Sequence, residues 1–156
     1  MIQRKQTIYL ILSALSFVLL FIFPFANFPL GTELICNISI LGIQDMPLDS
    51  TNYLFFIMQV LATGVIALTG VSVFMYTKRP LQIRLCAFAF IVNILIIGAM
   101  FLTSSVISNE LRLPEHTPVN YLFPTYIPMV TLILIMMAQR AIRKDEAMVQ
   151  SLNRLR

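Results

Sequence analysis

Four long stretches of the chain carry no charged side chain: residues 6–32, 50–77, 85–109 and 117–139. A hydrocarbon core of about 30 Å is crossed by about 20 apolar residues rising 1.5 Å each. Each stretch therefore holds one span and is too short for two. In lipid every backbone N–H and C=O must be bonded within the segment, which predicts helices. We place them near 7–23, 53–76, 85–105 and 123–140. Between the second and third lies a turn at 77–84, too short for anything but antiparallel neighbours. Pro124 suits an initial helical turn, while Pro128 is expected to remove an interior bond and bend the helix.

Outside those stretches the pattern changes twice. From Thr32 to Ile40 it alternates, with Leu34, Cys36, Ile38 and Ile40 on one side and Glu33, Ile35, Asn37 and Ser39 on the other. That is the period of a half-buried strand, ended by Gly42 and the Asp45-Met46-Pro47 turn signal. A lone strand is unstable, so a hairpin or a strand lying on the helices is expected within the 24–52 loop. After residue 140 there is no Gly or Pro, and Met148, Val149, Leu152 and Leu155 recur at helical spacing. The fourth helix is expected to project as a basic amphipathic extension over 141–156. Arg143 and Glu146 are i,i+3 partners on it. Its charges Arg143 and Lys144 and its apolar stripe Met148, Val149, Leu152 and Leu155 suit contact with a partner or with lipid.

Composition agrees with the pattern. Of the 156 residues 58% are hydrophobic and only 12% charged, with a mean hydropathy of +0.85. That leaves too little polar surface for a soluble shell and excludes disorder and a disulfide scaffold. The fold class is an all-α membrane protein, a four-span antiparallel bundle in one domain over 1–156. Its outer loops are 24–52 and 106–122.

Charge then sets orientation. All but one of the 11 Lys and Arg residues fall in the N-terminal segment, the 77–84 turn and the tail, with Arg112 alone opposite. Basic residues are retained in the cytoplasm, so both termini and the turn are expected inside. The first apolar run, Ile8 to Phe23, is longer than a signal-peptide core and no small-x-small pattern follows, so it is expected to stay as an anchor.

Candidate chemistry is sparse. Cys36 and Cys86 are expected on opposite faces, beyond the ~7 Å that a bridge tolerates. His116 with Glu110 and Glu115 in a Pro-bracketed loop is a poor metal set. No paired-Cys spacing, phosphate-cradling loop or G-x-S-x-G elbow is present. No Asp, Glu, Lys, Arg or His lies inside a span, whereas ion-coupled transport keeps such groups there. The neutral polar residues Gln59, Thr63 and Ser72, with Gly64 between them and Asn93 on the third helix, are of the kind that joins helices.

The opening Met1-Ile2-Gln3-Arg4-Lys5-Gln6-Thr7-Ile8-Tyr9-Leu10 resembles a bacterial membrane family of unknown function, numbered 4293. So does the ending, Arg140-Ala141-Ile142-Arg143-Lys144-Asp145-Glu146 through Val149, Ser151, Arg154 and Arg156. The resemblance implies an inner-membrane location and no activity. The expected role is a non-enzymatic accessory or scaffold subunit of a membrane assembly, without cofactor, metal or nucleic acid. Its partners would be the lipid bilayer and a membrane protein or further copies of the chain. The alternative is a small oligomeric channel or lipid-handling transporter.

Overall fold

The computed structural model describes residues 5–30, 34–43, 52–76, 78–110 and 119–154. The elements run α1 (Lys5–Ile22), β1 (Ala26–Leu30), β2 (Leu34–Ser39), β3 (Gly42–Ile43), α2 (Asn52–Phe74), α3 (Arg79–Glu110), β4 (Asn120–Tyr121), a 3-10 turn at Phe123–Tyr126 and α4 (Ile127–Arg154). Helix α1 packs on α2 and α4, and α3 packs on the same two, so the four close into a ring. Among the described residues three helices are long and apolar enough to cross a membrane: Asn52–Phe74, Arg79–Glu110 and Phe123–Ser151. Gln6–Ile22 is a shorter apolar helix.

The helix boundaries differ from the sequence expectation for identifiable reasons. Helix α3 begins at Arg79 rather than 85, because Pro80 sits in the first turn, where a missing N–H costs nothing. The α2–α3 turn contracts to a few residues, with Met75 N–H on the Val71 carbonyl at 3.1 Å and Lys78 N–H on Met75 at 3.1 Å. Contrary to the sequence expectation, Pro128 falls in the first turn of α4 and so removes no interior bond. The preceding 3-10 turn takes up Pro124 in the same way. Helix α4 runs unbroken through Arg154, as its lack of Gly and Pro requires.

The loop after α1 is more than a hairpin. Four strands form one antiparallel sheet in the order β3-β2-β1-β4. Ala26 pairs with Ile38 and Phe28 with Cys36, and all four side chains are buried against the helices. Pro29, which has no N–H to give, lies where β1 has β2 on one side but β4 no longer on the other. Gly42 opens β3 at φ +141°, a backbone conformation that excludes a Cβ.

Strand β4 belongs to the second loop, so the sheet ties both loops together. The Phe25 carbonyl receives Leu122 N–H at 2.8 Å and also the Thr125 hydroxyl, residues about a hundred positions away. Phe101 of α3 meets Tyr121 edge-on, centroids 5.3 Å apart.

The interior divides in two. At the sheet end Phe17, Leu20, Phe28, Ile38, Met58 and Met100 belong to one buried cluster. At the other end Leu10, Cys86, Ala89, Ile135, Ala138 and Ile142 form a second. Ser13, Thr69, Asn93 and Thr131, one per helix and each fully buried, occupy the positions between.

Candidate functional site: interior polar groups and the cationic end

Helix α3 organises the polar contacts. At the end away from the sheet, Gln82 Nε2 donates to the Ser72 carbonyl at 2.9 Å. Ser72 lies in the last turn of α2, where carbonyls lack helical partners, so Gln82 caps α2 from outside. The Cys86 thiol lies 4.0 Å from the Ser72 hydroxyl. Toward α4, Gln139 Nε2 donates to the Ile83 carbonyl at 3.4 Å, and Asn93 Nδ2 donates to the Pro128 carbonyl at 3.2 Å. The Arg79 guanidinium donates to the Asp145 carbonyl at 3.1 Å and so holds the start of the α4 extension.

Most interior hydroxyls are consumed locally. Ser13 donates to Leu10, Thr69 to Val65 and Thr131 to Ile127, each to a carbonyl of its own helix. Donors spent on the backbone leave no hydrogen to offer a passing solute. Three amide oxygens, Gln6 Oε1, Gln82 Oε1 and Asn93 Oδ1, are buried without a partner.

The other residues singled out from sequence fall in different places. Gln59 Nε2 reaches the Ile40 carbonyl at 3.3 Å, so it joins α2 to the β2–β3 turn and not to a helix. Thr63 is exposed and its hydroxyl closes on the Gln59 carbonyl of its own helix. A Cβ at Gly64 would meet only Val92 Cγ1, at 3.9 Å, which is ordinary contact. Gln59, Thr63 and Gly64, with Phe56, Val60 and Ala67, line an open groove of about 390 Å³ on the outside of α2. Ser72 and Asn93 sit inside, as described. Cys36 and Cys86 are both buried and not bridged to each other, one in the sheet and one near the opposite end of the helices. Among the described residues no group of three His, Cys, Asp or Glu could hold a metal. His116 and Glu115 lie outside the described residues.

The end opposite the sheet is cationic. Lys78, Arg84, Arg140, Arg143 and Lys144 are all exposed there. Glu146 takes a bond from Gln150 Nε2 at 3.4 Å, and no ion pair to Arg143 forms among the described residues. On the extension Met148 is 51% exposed and Val149 40%. The Leu152 side chain and Leu155 lie outside the described residues.

The sequence reading missed Arg79 and Gln82. For Gln82 the signal was present, since a polar residue in the first turn of an apolar helix is placed to cap the neighbour it follows. Thr125 and Ser13 carried no such signal.

The terminal segments and the four apolar helices are the pattern by which the chain can be compared with others. The family model described as Domain of unknown function (DUF4293) matches residues 2–155. The chain belongs to that family. No curated protein and no solved structure matches it. The match takes in the sheet, the ring of helices and the cationic extension together.

Proposed function

We propose that this family member is a four-span integral protein of a bacterial inner membrane, both termini cytoplasmic. We propose further that it serves as a non-enzymatic accessory or scaffold subunit. The observation that carries the membrane reading is the outer surface of the short helix. Ile8, Ile11, Leu15, Val18, Leu19 and Ile22 of α1 are exposed along its length. Helices α2, α3 and α4 present the same kind of face, with Phe56, Val60, Ile91, Leu95, Ile133 and Met137 exposed. An apolar surface on every side of the ring is what a bilayer covers and water does not. At 18 residues α1 is about 27 Å long, close to the hydrocarbon thickness. Exposed aromatics at the sheet end (Phe23, Tyr53, Tyr121, Phe123 and Tyr126) suit a headgroup belt. The cations at the opposite end suit the cytoplasmic face.

The scaffold role is supported by how the interior polarity is spent. Ser13, Thr69 and Thr131 spend their hydroxyls within their own helices, whereas Gln82 and Asn93 bond neighbouring ones. The latter is the use made of polar groups that hold helices together. The second reading, an oligomeric channel or lipid-handling transporter, is favoured by the groove on α2, where Thr63 faces outward. Crosslinking in native membranes followed by purification in mild detergent separates the two. The scaffold reading expects a different protein recovered in fixed proportion. Recovery of homo-oligomers alone, with aqueous thiol reagents reaching Thr63→Cys, would favour the second.

A further inference from the structure

The lipid-facing sides of α3 and α4 both change chemistry at the same level. On α4, Met129, Ile133 and Met136 are exposed one turn apart, and exposed Arg140 and Arg143 continue that face. On α3 the exposed stripe Leu95, Ile91 and Phe88 runs the opposite way and ends on exposed Arg84. The two helices are tied at this point by Gln139 Nε2 on the Ile83 carbonyl at 3.4 Å, a half-buried contact. Arg84 follows Ile83 in the chain, and Arg143 lies one turn beyond Gln139. Arg84 and Arg143 thus lie within one turn of that contact along their own helices, with Arg140 on the outward face of α4. None of the three takes a hydrogen bond or ion pair within the described residues. The extension that carries Arg143 is held in place by Arg79 on Asp145 at 3.1 Å.

We infer that the cationic mouth of the α3–α4 seam binds the phosphate headgroup of an anionic phospholipid, with Arg84 and Arg143 on either side and Arg140 at the lip. Charge complementarity carries the choice of occupant. Guanidinium groups match phosphate oxygens in a two-pronged geometry, and basic recesses between membrane helices on the cytoplasmic side take anionic headgroups. The apolar stripes leading to the mouth, Met136 on α4 and Ile91 on α3, give the acyl chains their track. Positive charge scattered to orient the protein needs no seam. Here two helices carry exposed arginines within a turn of the contact that joins them. The inference rests on the membrane reading and adds the lipid class to it.

The test uses the full chain reconstituted into phosphatidylcholine vesicles containing a minor fraction of phosphatidylglycerol. Lipid retained after extraction in mild detergent is read by native mass spectrometry. The parent is expected to retain phosphatidylglycerol in preference to phosphatidylcholine. Each guanidinium in direct contact with the phosphate is expected to contribute about fivefold, the equivalent of ~1 kcal/mol, so Arg84→Gln with Arg143→Gln should weaken that preference about 25-fold. The control, Lys78→Gln with Lys144→Gln, removes the same charge from exposed positions of the same end outside the proposed trio and, without direct contact to the phosphate, should lose several times less. Equal losses in the two double variants would mean a diffuse surface field and would overturn the site. So would a parent without preference. Alkaline washing of the same vesicles keeps the two readings apart: a protein that stays in the membrane but shows no preference sinks only the lipid site. A protein that washes off sinks both.

Discussion

Asn93 is fully buried midway along α3, spends its Nδ2 on the Pro128 carbonyl and leaves Oδ1 without a partner. A buried acceptor left unmade costs about 1–3 kcal/mol, while a hydrogen bond between membrane helices returns about 0.6–1.7 kcal/mol. The two nearly cancel. Asn93→Leu, which keeps the same branched skeleton of heavy atoms, should therefore leave stability to denaturation in detergent within about 1 kcal/mol of the parent. Asn93→Asp puts a carboxylate at the same point and should cost about 3 kcal/mol. A large loss with Leu would mean that the side chain does more than join α3 to α4. The cysteines make a second residue-scale case. Both are about 1% exposed, so a maleimide should label neither in the folded protein and both after unfolding. Mass spectrometry of labelled protein reads the outcome.

Glycine gives the clearest prediction for the helices as elements. A Cβ at Gly64 meets only Val92 at 3.9 Å, and one at Gly70 meets nothing within 4 Å. Neither glycine has a positive φ, so nothing inside the chain requires them. Alanine at either should raise the stability of the purified protein by about 0.5–1 kcal/mol. A drop would show that the groove on α2 is already filled by another helix that the methyl displaces. For α4, Arg79→Ala removes the tie to Asp145. Membrane insertion should be unchanged while protease cuts the extension several times faster, and unchanged cutting would mean the extension is held elsewhere.

How legible these elements were depended on how local their cause is. The helices announce themselves because charge is missing over 20 or more residues, a signal no turn can imitate. Of the sheet only β2 was legible, through the alternation of Cys36, Ile38 and Ile40. Strand β1 contains Pro29 and sits in Pro24-Phe25-Ala26-Asn27-Phe28-Pro29, which reads as loop until a partner is supplied. Strands β3 and β4 have two residues each, too few for any period. The pairing of Ala26 with Tyr121 joins parts of the chain with no sequence sign of each other. The start of α3 was misread because Lys78, Arg79 and Pro80 have the composition of a turn, although proline in a first turn begins a helix as readily as it ends one. Of the candidate site, the cations were legible as charge. That Arg84 and Arg143 each lie within a turn of a contact between α3 and α4 was not, because it depends on how two helices are set against each other.

At the scale of the whole molecule the parts have opposite ends. A sheet sewn from two loops closes one end of the ring of helices. The other end carries the cations and the α4 extension. The long helices exceed a hydrocarbon thickness of about 30 Å, α3 reaching about 48 Å over its 32 residues, while α1 reaches about 27 Å over 18. The four-span account therefore turns on α1, because three spans would put the sheet and the first cationic segment on the same side. The deciding measurement is a reporter active only outside the cytoplasm, fused after Asp45 in one strain and after Arg156 in another. The account predicts activity at Asp45 and silence at Arg156. Silence at Asp45 in stably expressed fusions would mean that α1 does not cross, and activity at Arg156 would mean an odd number of spans.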